Sequence, residues 1–122
     1  MLNIFLFISV SEEALWFQKM VKILSSMGTL QVVSQGQATH LINEHKYDMV
    51  IVDTASIDDE SQVITKVHLK QPQARIVVIT TTPTWRRARE VLLHSGAMDY
   101  ISKTLSEREL RSIFKDILAK TP

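Results

Sequence analysis

Short blocks without polar positions alternate along this chain with longer blocks in which apolar residues recur every three or four positions. Ile4–Ile8 (Ile-Phe-Leu-Phe-Ile), Met49–Val52 and Ile76–Ile79 are unbroken apolar runs. A strand with one wet face would show a polar residue at every second position. These runs show none, so they are expected as strands covered on both sides, the usual state of parallel strands. Two weaker strands fit residues 30–33 and 99–102. Between the runs lie helical patterns. Residues 12–26 carry Ala14, Leu15, Phe17, Val21, Ile23 and Leu24 and end near Gly28, the expected C-cap. Shorter helices fit 37–45 and 59–69. A fourth opens at Thr82-Pro83, with proline at the first helical position, and closes at Gly96. The fifth begins with the capping box Ser106-Glu107-Arg108-Glu109 and carries Leu110, Ile113, Phe114, Ile117 and Leu118 on one stripe.

The pattern is five β-then-α units. Parallel strands joined by helices form an open twisted sheet with helices on both faces. The expected architecture is therefore an α/β three-layer sandwich. Its chemistry belongs just past the carboxyl ends of the strands. Those positions hold Ile8 and Ser9 after the first strand, Asp53 after the third, Thr80-Thr81-Thr82 after the fourth and Lys103 after the fifth. A carboxylate there can act as a nucleophile toward a phosphoryl group. A lysine and a hydroxyl can hold phosphoryl oxygens.

Asp53 after an apolar strand, Thr81 after the next, and Lys103 within Asp99-Tyr100-Ile101-Ser102-Lys103 resemble the receiver domain of two-component response regulators. Leu93-His94-Ser95-Gly96-Ala97-Met98-Asp99-Tyr100 is similar to that family's segment from the end of helix four into strand five. The resemblance covers nearly the whole chain. It implies the flavodoxin-like, CheY-like (βα)5 fold with strand order 2-1-3-4-5, one domain over residues 1–122, and Tyr100 as an aromatic switch. It implies a signalling role in a phosphorelay, with Asp53 accepting a phosphoryl group from a histidine kinase, Thr81 and Lys103 assisting, and magnesium bound partly by Asp53. Partners would be a histidine kinase or another signalling protein, and a homodimer would form through the helix four–strand five–helix five face.

Three positions depart from the family pattern. The acidic pair expected at the end of strand one falls on Ile8 and Ser9, and neither carries a carboxylate. No proline follows Asp53 within Thr54-Ala55-Ser56-Ile57-Asp58, and Thr104 stands where a proline commonly follows the lysine. The first departure argues against tight magnesium binding. It brings in a second reading, a pseudo-receiver that keeps the fold as a protein-interaction module independent of phosphate. Glu12 and Glu13, and the run Asp58-Asp59-Glu60, are read as acids at helix N-termini, where the dipole favours them. Trp85 followed by Arg86, Arg87 and Arg89 could meet a partner.

Composition adds little against this. Apolar residues make up 45% of 122, enough for a full core. There is no cysteine, hence no disulfide, thiolate metal site or cysteine nucleophile, which suits a cytoplasmic setting. A net charge of +1 demands neither nucleic acid nor an anionic membrane. No apolar run reaches the ~18 residues of a membrane span. The glycines form no phosphate loop and the four histidines have no ligand spacing, so no enzyme chemistry on small molecules is expected.

Overall fold

A computed structural model describes residues 3–9, 14–56, 60–81 and 83–120; the side chains of Ser56, Glu60, Ser61 and His94 are outside that description. The chain runs β1 (Asn3–Ile8), α1 (Leu15–Met27), β2 (Gly28–Val33), α2 (Gln35–Glu44), β3 (Met49–Asp53), a 3-10 turn (Thr54–Ser56), α3 (Glu60–Lys70), β4 (Arg75–Thr80), α4 (Trp85–His94), β5 (Asp99–Ser102) and α5 (Glu107–Ala119). The five strands form one sheet in the order β2-β1-β3-β4-β5, and every pairing is parallel.

Alternation along the strands divides the core in two. Phe5, Phe7, Met49, Ile51, Val77, Ile79 and Ile101 point to one face, where Phe17, Met20, Leu24, Leu110 and Phe114 of α1 and α5 cover them. Leu6, Ile8, Val50, Val52, Ile76 and Val78 point to the other, under Ala38, Ile42, Ile64, Val67 and Val91 of α2, α3 and α4. This is why β1, β3 and β4 read as unbroken apolar runs. Both faces are dry, so neither set of alternate positions is polar.

Some details differ from the sequence reading. Leu15, one of the apolar residues of the first helical pattern, is exposed, as are Leu69 on α3 and Leu92 on α4. The stripe that α1 buries is Phe17, Met20, Ile23 and Leu24, at helical spacing. Gly28 caps α1 through an N–H bond to Leu24 O, but its φ of 175° is ordinary extended backbone. Its role is a close approach: a Cβ there would collide with the backbone oxygen of Asn3 on β1. Helix α4 starts two residues later than Thr82-Pro83 suggests. Thr84 is its N-cap, accepting from Arg87 N at 3.3 Å, so Pro83 precedes the helix. Helix α2 starts earlier, with a Ser34–Gln37 capping box that the sequence reading passed over. The Ser106–Glu109 box of α5 is present. Glu12, Glu13, Asp58, Asp59 and Thr82 lie outside the described residues. No helix among the described residues is long and apolar enough to cross a membrane.

Candidate functional site at the carboxyl edge of the sheet

Strand alternation determines which side chains meet beyond the sheet edge. Ile8 faces the α2–α3 side, so Ser9 faces the α1–α5 side. By the same count Asp53 follows Val52, and Lys103 lies two residues past Ile101, both on the α1–α5 side. Backbone bonds hold the ends of the strands in place. Ser9 N donates to Val33 O at 2.9 Å, and Lys103 N donates to Thr80 O at 2.8 Å. The register of β3 against β4 sets Asp53 beside Ile79.

These constraints bring three predicted positions into contact. Lys103 Nζ lies 2.8 Å from Asp53 Oδ1. Ser9 Oγ donates to Asp53 Oδ2 at 2.9 Å. Ala55 N, in the turn after β3, donates to Oδ1 at 3.1 Å. Both carboxylate oxygens are thus engaged. The group is deeply placed, with Asp53 1% and Lys103 9% exposed. Burying a lone charge is costly, and here each ion has the other plus hydrogen bonds to offset desolvation.

The two positions expected to carry the acidic pair have separated roles. Ser9 takes part in the site with a neutral hydroxyl. Ile8 is fully buried and belongs to the opposite core. Thr80, the last residue of β4, is buried, whereas Thr81 is exposed one residue beyond, on the Asp53 side by alternation. Tyr100 turns toward the α2–α3–α4 core, and its buried hydroxyl has no hydrogen-bond partner among the described residues. The missing proline after Lys103 also has a local reason. Thr104 N donates to Ser102 Oγ at 3.1 Å, a bond that proline could not make.

One participant was not read from the sequence. Trp16, on the first turn of α1, stacks on the lysine, with Nζ 3.9 Å from the ring centroid. It is held edge-on to Phe7 and Phe17, at centroid distances of 6.2 and 6.0 Å. In the sequence Trp16 is one of several apolar residues in the first helix, and nothing marks it as nearer to Lys103 than its neighbours. Among the described residues no three His, Cys, Asp or Glu side chains gather as a metal-binding group.

The fold is shared with solved receiver structures. A two-component response regulator from Clostridium difficile is 23% identical, with a TM-score of 0.83 and coverage of 97% of each chain. A CheY-like response regulator receiver domain from Methanospirillum hungatei JF-1 is 18% identical, with a TM-score of 0.81 over 97% of this chain and 94% of that one. A response regulator from Burkholderia pseudomallei, described as carrying a phosphorylated aspartic acid, calcium ion and citrate, is 20% identical, with a TM-score of 0.74 over 96% of this chain and 73% of that one. No curated protein is similar enough in sequence to count as a relative. The model of the response regulator receiver domain matches residues 7–115, a span from the end of β1 to the middle of α5 that includes Ser9, Asp53 and Lys103. With that match laid over the parallel 2-1-3-4-5 sheet, the chain belongs to the response regulator receiver domain family.

Proposed function

We propose that this receiver works in two-component-type signalling as a protein-interaction module whose Asp53 site is neutralised from within and does not depend on phosphoryl transfer. The observation that carries this is the Ser9 hydroxyl on Asp53 Oδ2. Magnesium is a hard ion that is held by one or two carboxylates together with phosphate oxygens and waters. At the position beside Asp53 this chain offers a neutral donor in place of an acid. One carboxylate with one ammionium needs no further positive charge, so a cation gains little by entering. The described residues do not fit a tight magnesium site. In this reading the module turns over no small substrate.

The phosphorelay reading, with Asp53 accepting a phosphoryl group from a histidine kinase, rests on a different observation: the Lys103–Asp53 contact at 2.8 Å, which would suit an anionic adduct. The two readings part in one experiment. The protein is incubated with acetyl phosphate and magnesium, quenched, and its intact mass measured. No phosphoryl adduct is expected on the natural chain. An adduct that disappears in Asp53→Ala would overturn the phosphate-independent reading and favour the phosphorelay one. Magnesium titration followed by tryptophan fluorescence supplies the second arm. Ser9→Asp should bind the ion more tightly than the natural chain, because it adds a carboxylate on the side where Ser9 already touches Asp53. Ile8 is unsuitable for the same change, since an aspartate there would be buried in the α2–α3 core.

A further inference from the structure

We infer that Trp16 is a built-in lid of the Asp53 site: its indole ring packs on the Lys103 ammonium that pairs with Asp53 and shields the buried pair from exchange with small anions. This deepens the phosphate-independent reading proposed above and rests on it for its functional meaning.

The geometry begins at Lys103. Its ammonium has three hydrogens to place. Asp53 Oδ1 takes one direction at 2.8 Å, and the Trp16 ring lies at 3.9 Å. A cation over a tryptophan face is attracted by the ring quadrupole, more strongly where water is excluded. Lys103 is almost wholly buried, which meets that condition. An anion reaching Asp53 through Lys103 would have to displace the indole and give up this contact.

Trp16 is fixed for the task by its surroundings. Phe7 and Phe17 grip its ring edge-to-face. The helix that carries it is strapped to the segment that carries Lys103. Lys19 Nζ donates to Leu105 O at 2.6 Å, Lys22 Nζ lies 3.2 Å from Glu107, and Arg111 donates to Ser26 Oγ at 2.8 Å. Trp16, Lys19, Lys22 and Ser26 recur at three- and four-residue spacing, so one stripe of α1 follows the chain from Lys103 into α5. The lid is one end of that seam. Withdrawing Trp16 requires α1 to shift against α5, or the ring to leave its aromatic clasp.

The test reads Lys103 directly, on the full chain. Proton NMR of the natural protein should show the Lys103 Cε protons shifted upfield by the indole ring current. Acetylation with an N-hydroxysuccinimide ester, mapped by mass spectrometry, should leave Lys103 slow and the exposed Lys70 fast. Trp16→Ala should raise the Lys103 rate by about thirtyfold, the factor a desolvated cation–π contact represents, with Lys70 unchanged. Trp16→Phe should fall between. An unshifted Lys103 resonance in the natural protein overturns the inference, whether or not the alanine variant folds. So does an equal Lys103 rate in the natural chain and a folded Trp16→Ala. The acetyl phosphate experiment reports separately: a phosphoryl adduct removes the phosphate-independent reading and, because acetyl phosphate is itself a small anion, the shielding with it, whereas equal Lys103 rates in the natural chain and a folded Trp16→Ala with no adduct on either remove the lid alone.

Discussion

Tyr100 and Lys103 are two polar residues of strand five and its end, buried with opposite outcomes. The Tyr100 hydroxyl is enclosed without a partner among the described residues. An unmet buried donor costs about 1–3 kcal/mol. Tyr100→Phe keeps the ring in place beside Val78 and removes the orphan group. The variant should unfold at higher urea, with a gain of about 1 kcal/mol; a loss would mean that the hydroxyl has a partner. Lys103 is the reverse case. Lys103→Met leaves the Asp53 carboxylate buried without its ammonium, and breaking one side of such a pair costs about 3–5 kcal/mol. Adding Asp53→Asn should recover most of that loss, because no charge then remains to be stranded. Urea unfolding of the single and double variants gives the coupling directly.

At the scale of elements, glycine and capping residues mark where helices stop and start, though not always for the reason sequence suggests. Gly96 was read as the end of helix four, and it is. Its φ of +91° lies where side chains are disfavoured, and a Cβ would come 2.7 Å from the His68 ring on α3. Gly96→Ala should therefore cost more than the ~1–2 kcal/mol of the backbone alone. In a His68→Ala background part of the cost should vanish, which thermal melts of the four combinations would show. The start of α5 supplies a pH dependence. Hydrogen bonds from Lys22 and Arg111 hold the Glu107 carboxyl below its ordinary value of 4.5. The bond from the Ser106 backbone does the same for Glu109. A carboxyl with a lowered folded pKa adds stability above its unfolded value and loses it as pH falls through the folded one. Melting temperature should drop from about pH 6 to about pH 3, and drop less in Glu107→Gln. The elements themselves were legible because both sheet faces are dry and the helices carry periodic stripes. The exposed leucines Leu15, Leu69 and Leu92 sit near helix ends, where hydrophobicity alone does not say which way a side chain turns.

For the molecule as a whole, strand order and parallel pairing follow from the alternation of elements, and the carboxyl edge follows from the strand order. That is why Asp53 and Lys103 could be placed together from sequence. The register gave Ser9 a position but not a role, since whether a serine donates to a carboxylate depends on a rotamer. Trp16 was out of reach, because its contact with Lys103 spans 87 positions and depends on how α1 rolls on the sheet. Both are side-chain orientations, which periodicity does not encode.

The outer surface of α4 is the remaining feature that bears on partners. Its inner side is made of small or modest residues, Ala88 and Val91, while Trp85 is 76% and Leu93 68% exposed. Arg89 lies over the Trp85 ring at 5.5 Å from the centroid. Arg86 and Arg87 occupy the second and third positions after the Thr84 cap, and the first turn has no acid. Arg86 faces the positive end of the helix dipole, a cost of about 0.3–1 kcal/mol. Arg86 and Arg87 beside the exposed Trp85 give α4 a basic outer face. Stability and binding should respond to charge reversal in opposite directions. Arg86→Glu puts an acid where the dipole favours one. The variant should melt higher than the natural chain, by about 0.5–1 kcal/mol in stability. Its binding to an acidic partner should weaken, and become less sensitive to salt, because a charge has changed sign. Calorimetry reads the first effect and a titration at two salt concentrations the second. A lower melting temperature would show that Arg86 serves the fold, and α4 as a partner surface would lose its main support.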